Sequence, residues 1–144
     1  MKKRKMLVLL TVILAAVLSS SPAAGGDFDW TRDFNIRAEA DPEGFRARLS
    51  ARFRIGNAQV NVVLGNVDSP ADAYIVCRLG EMSSNPLDHV LARYRNERKK
   101  GWGALAHSLG VKPGSKKFHA LKAGSDIYFD KGNIQGPKKG KSKT

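Results

Sequence analysis

Apolar residues recur along this chain at helical spacing, in short runs separated by capping residues, prolines and glycines. Phe45, Leu49 and Phe53 stand four apart, which places one stripe on a helix. That run opens at Asp41-Pro42, an N-cap followed by the proline tolerated in a first turn, with Glu43 near the positive end of the helix dipole. Gly56 and Asn57 end it. From Val60 to Val67 the β-branched residues favour a strand, while Val60, Val63, Leu64 and Val67 fit one helical face. We expect a short helix capped by Asn57, with helix and strand both open. Ser69-Pro70-Ala71-Asp72 is a stronger start, a capping serine with a carboxylate three residues on, and it predicts a helix to about Met82.

The same pattern recurs at Asn85-Pro86-Leu87-Asp88. Leu87, Val90, Leu91 and Tyr94 form the next face, and Arg95, Arg98, Lys99 and Lys100 gather at the end where cations complement the dipole. Gly101 suits a left-handed terminator. Trp102, Leu105, Ala106 and Leu109 predict a fifth helix closed by Gly110, with Val111 folding back on its last turn. Lys112-Pro113-Gly114-Ser115 reads as a type II turn, after which Ser115 caps a final helix carrying Phe118 and Leu121.

These elements add up to an all-α fold, a small bundle of about five or six short helices over residues 41–130. Before it, residues 24–40 read as an N-terminal arm that reaches Phe34 and Ile36 and is docked by its aromatic rings, and Ile127-Tyr128-Phe129 forms a last apolar patch. Residues 1–23 have the layout of a cleaved signal peptide: Lys2, Lys3, Arg4 and Lys5, an apolar run from Met6 to Leu18, then small residues to Ala23. The run is shorter than the roughly 20 apolar residues of a membrane span. An exported chain, periplasmic or extracellular, is expected, with no membrane span in its mature form. Residues 131–144, rich in glycine and lysine, are expected to be disordered.

Charge adds a location for binding. Of the formal +12, four charges leave with the signal, so the mature chain keeps +8. From Asp27 to Asp130 sixteen Lys or Arg face thirteen Asp or Glu, while Lys131, Lys138, Lys139, Lys141 and Lys143 stand in the tail without an acid. The lone Cys77 excludes an intrachain disulfide, and its apolar neighbours predict a buried thiol.

The most distinctive stretch runs from Gly101 to Leu121, GWGALAHSLGVKPGSKKFHAL. Preceded by the Ser-Pro-Ala-Asp start and a basic helix bearing Tyr94, it resembles a block near the end of small exported bacterial proteins of uncharacterised function. The resemblance covers about residues 41–124 and implies a shared helical domain without a particular activity. The stretch is also similar to a helix-turn-helix: Ala106, Gly110 and Val111 match its small residue and turn glycine, whereas its inward apolar position falls on Lys116. A recognition face would then come from Lys116, Lys117 and His119.

No serine or cysteine elbow, phosphate loop or paired-carboxylate motif is present, and Asp68, Asp72 and Asp88 fit turn and first-turn roles. Catalysis is not expected, and no cofactor is implied. His89, His107 and His119 are weak metal candidates on three separate helices, with Cys77 and Met82 as soft ligands for copper. Trp102 between two glycines reads as a structural anchor or as an exposed ring for a ligand. The leading expectation is a non-enzymatic exported module that binds or scaffolds an anionic envelope polymer or an envelope protein. Its binding residues would be Trp102, Arg95, Arg98, Lys99, Lys100, Lys116, Lys117 and His119, with non-specific nucleic acid possible through the tail. The alternatives are a periplasmic metal-binding or metal-sensing protein and a helix-turn-helix-like nucleic-acid binder.

Overall fold

In the computed structural model, residues 27–128 are described. The expected signal peptide, the first residues of the arm, Phe129 and the lysine-bearing tail lie outside the described residues. Within them the chain is all-helical: α1 (Thr31–Ala40), α2 (Pro42–Phe53), α3 (Asn57–Leu64), α4 (Pro70–Ser83), α5 (Leu87–Glu97), a 3-10 turn (Arg98–Lys100), α6 (Trp102–Ser108) and α7 (Lys116–Ala123).

Helix α4 is the axis. Its sequence is apolar almost all round, and Ala71, Ala73, Tyr74, Ile75, Val76, Cys77, Leu79 and Gly80 are all buried; such a helix is stable only when neighbours cover every side. Helices α1, α2, α3, α5 and α7 supply that cover. At Gly80 an added Cβ would lie 3.3 Å from the Asn85 carbonyl oxygen and 3.6 Å from a Val90 methyl. A side chain there would push against the α4–α5 turn and α5 itself. Burial also pushes the Cys77 thiol up to about 12, so the cysteine behaves as a small apolar core residue.

The start signals at Asp41, Ser69 and Ser115 operate as capping predicts: their side chains accept hydrogen bonds from the N–H groups of Gly44, Asp72 and Phe118 at 2.9, 3.2 and 3.3 Å. Asn57 and Asn85 do not. Helix α3 begins at Asn57 with Gly56 as an uncapped N-cap residue, which resolves the Val60–Val67 ambiguity as helix to Leu64. The Asn85 amide instead donates to the Leu109 carbonyl at 3.4 Å, joining the α4–α5 turn to the end of α6. That end closes as expected: Gly110 has φ +83°, and the N–H groups of Val111 and Gly110 bond the carbonyls of Ala106 (2.8 Å) and His107 (3.0 Å), the double bond of a Schellman cap.

Two local expectations are corrected, and one left open is filled in. Gly101 has positive φ but extended ψ (94°, 167°), because a 3-10 turn already ends α5 and the glycine only redirects the chain. The turn at 112–115 has its closing bond, Ser115 N–H to the Lys112 carbonyl at 2.9 Å, yet Gly114 is not among the positive-φ residues, so it is not type II. The N-terminal arm, whose conformation the sequence left open, is helical over α1, Thr31–Ala40. Its ring docking is real, since Phe34 packs between Trp30, Phe45, Tyr74 and Tyr128 at centroid distances of 4.9 to 5.7 Å.

An ionic lattice ties the end of the described chain to the bundle. Arg52 of α2 bonds both oxygens of Glu81 at 3.0 and 3.2 Å and one oxygen of Asp126 at 2.6 Å. The Tyr74 hydroxyl donates to Asp126 at 2.9 Å and accepts from its backbone N–H at 3.1 Å. Hydrogen bonds from Arg52 hold the Glu81 carboxyl below its ordinary value. At Asp126 partial burial acts to raise the pKa, but the bonds from Arg52 and Tyr74 outweigh it and the carboxyl is lowered.

Two predictions follow from this packing. Phe34 is 3% exposed and Ile36 on the same helix is 56% exposed. In urea unfolding Phe34→Ala should therefore cost about 3–5 kcal/mol, and Ile36→Ala should stay within about 0.5 kcal/mol. Because Glu81 and Asp126 are lowered in the folded chain, their contribution is complete above the ordinary carboxylate range and is lost as pH falls through the folded values. Melting temperature should drop on acidification, and Arg52→Leu should be less stable at pH 7 with a shallower loss toward acid.

Candidate ligand-binding cleft

The N-terminus of α4 is held by partners from two other helices. The Ser69 hydroxyl accepts from the Asp72 N–H and donates to Asp72 Oδ1 at 3.0 Å. Asp72 Oδ2 accepts from the Tyr94 hydroxyl of α5 at 2.6 Å, and the same hydroxyl accepts from the Asp68 N–H at 3.1 Å. Asn35 of α1 accepts from the Ala71 N–H at 2.7 Å. Burial, reinforced by the bond to Asp72, pushes the Tyr94 phenol up to about 12, so it remains a donor across the physiological range.

This cap network forms one wall of a cleft of about 380 Å³ lined by Asp68, Asp72, Tyr94, Arg98, Lys99, Gly101 and Trp102. The volume lies within the range of small-molecule sites. Trp102 is partly buried and stacks on Tyr94 with centroids 5.9 Å apart and planes at 29°. Phe28 packs against Trp102 and Phe118, each at 6.1 Å, linking the α6 start to α7. At the lip Arg98 pairs with Asp68 and lies over the Tyr94 ring at 5.9 Å. That pairing raises the Arg98 pKa above its ordinary value. Lys99 is exposed with no acid partner among the described residues. Trp102 is thus held by Tyr94 and Phe28, as the anchor reading expects, and also lines the cleft.

The other candidates are distributed. Arg95 bonds the Asn66 amide oxygen, and Lys100 pairs with Glu97 at 3.2 Å; both flank the cleft on the same helical segment without lining it. Lys117 donates to the Met82 carbonyl at 3.1 Å at the C-terminal end of α4, and with Lys116 it borders a separate shallow hollow. His119 is exposed on α7. His89 and His107 are also exposed, and among the described residues no group of three or more His, Cys, Asp or Glu is placed to hold a metal ion. The helix-turn-helix pairing departs from its template. Seven residues, 109–115, separate α6 from α7, against the three or four of that motif; α6 packs on α5 and α7 on α4, and the inward position, Lys116, is exposed.

Tyr94, Asp68 and Asp72 were not anticipated as cleft residues. Their sequence signals, a helical apolar face and a helix start, are real and report only their local roles. The chain matches no protein-family model, no curated protein and no solved structure. Tyr94→Phe keeps the ring stacked on Trp102 but strips Asp72 and the Asp68 N–H of a partner. It should cost about 1–3 kcal/mol in denaturant unfolding, with the helical circular dichroism spectrum unchanged.

Proposed function

We propose that this domain is a non-enzymatic exported module that binds an anionic polymer of the cell envelope through its C-terminal helices. The observation that carries this reading is the segregation of charge. Between His89 and Ser125 the chain has nine Lys or Arg and a single acid, Glu97, and all of these cations except Lys122 are exposed. From Asp27 to Asp88 acids outnumber bases by ten to seven. One sign of charge gathered on α5, the 3-10 turn, the 109–115 connection and α7 produces a field that attracts polyanions.

A binding role also fits the carboxylates of the cleft. Asp72 is occupied by Ser69 and Tyr94 and so is committed to structural partners, while Asp68 meets only Arg98 at the exposed lip; neither is placed beside the other as an acid-base pair. The lysine-rich tail would act as an electrostatic tether. Its five lysines, each neutralising one phosphate of a duplex, would contribute a log-log salt slope of about −4.5.

The test is a titration of the mature chain with heparin as a soluble anionic polysaccharide at several salt concentrations. Affinity should fall steeply from about 50 to 200 mM salt, and Lys112→Glu, Lys116→Glu and Lys117→Glu together should weaken it by at least about tenfold. Deleting residues 131–144 should flatten the salt slope while leaving measurable binding. Absence of binding at low salt, or binding indifferent to salt, would remove this reading.

A further inference from the structure

We infer that the Tyr94–Trp102 cleft is a subsite for one sugar ring of an acidic glycan, a sugar that carries a carboxylate. The inference rests on the polyanion-binding reading above and names the ligand class that its most structured element would select.

The cleft joins an aromatic wall to a mixed rim. Its indole is braced by Tyr94 and Phe28, so its orientation is set before any ligand arrives and little is lost on binding. The C–H face of a pyranose is apolar and matches such a ring, while its edge is a belt of hydroxyls needing both donors and acceptors. The rim supplies both: Lys99 and Arg98 donate, and the carboxylate of Asp68 accepts. The carboxylate of the sugar would take Lys99, which has no acid partner among the described residues, and Arg98, whose pairing with Asp68 is solvent-exposed and so exchanges at small cost.

The same rim argues against a densely phosphorylated ligand. Two cations and two carboxylates line the cleft, which makes it locally neutral inside a cationic segment. Closely spaced phosphates of a nucleic acid or polyphosphate would meet Asp68 and Asp72 as well as the lysine. A glycan with one acid per ring and hydroxyls between places its charges farther apart. Gly101 contributes bare backbone to the lining, and its φ of 94° excludes a larger residue at that position without strain.

The experiment is calorimetric titration of the mature chain with trigalacturonate, neutral maltotriose and tripolyphosphate at fixed salt, using Trp102→Leu, Lys99→Ala and Arg32→Ala. Arg32 on α1 is exposed and lies outside both the cleft lining and the cationic C-terminal segment, so it is the charge-matched control. Trigalacturonate should bind best, with Trp102→Leu losing about tenfold, Lys99→Ala about fivefold and Arg32→Ala less than about twofold. If Trp102→Leu melts early, the contrast between Lys99 and Arg32 decides alone. Equal losses at Lys99 and Arg32 would overturn the subsite and leave only general charge attraction standing. Tripolyphosphate binding as tightly as trigalacturonate would overturn the glycan class, and failure of all anions to bind would end both readings.

Discussion

A helix buried on every side must have each of its polar ends satisfied by protein, and that requirement on α4 organises this molecule. Its first free N–H groups go to Asn35, Ser69 and the Ser69 carbonyl. Its last carbonyls are met by the Asn85 N–H, the Ser83 hydroxyl and the Lys117 ammonium. An unpaired buried backbone group costs about 1–3 kcal/mol, so Asn35 from α1 is held at the part-buried N-terminal end of α4, while the Lys117 bond at the other end is exposed to solvent.

The cleft is a by-product of this constraint. Tyr94 reaches across from α5 to complete the α4 cap, and in doing so presents its ring as the surface on which Trp102 stacks. The 3-10 turn then brings Arg98 and Lys99 over the same edge. The cap and the aromatic wall are therefore one unit, whose rings are held by folding energy before any ligand arrives.

Charge is divided between two tasks along the same logic. Arg52 and Arg78 are drawn to Glu81, and Arg52 also to Asp126, where they fasten α2, α4 and the end of the described chain. Of the nine cations between His89 and Ser125, all but Lys122 are exposed, and Arg98, Lys100 and Lys122 pair with Asp68, Glu97 and Asp27.

Much of the fold was legible locally. Stripes such as Phe45-Leu49-Phe53 and caps such as Ser69 and Ser115 depend on spacing within one turn of helix, and burial and hydrogen bonds in the structure follow them. The sequence by itself determined the all-helical class, most helix starts, the buried cysteine and the gathering of cations after Tyr94. What only the tertiary structure decided was long-range: that the segment before Asp41 includes a core helix, that Asn85 serves α6 rather than α5, that Arg52 is an internal clamp, and that Trp102 meets Tyr94, Asp68 and Asp72 in one cleft. The reason is physical. Periodicity and capping are set by neighbours along the chain, whereas pairing across the bundle depends on which distant group is nearest when α4 is enclosed, and no local pattern encodes that distance.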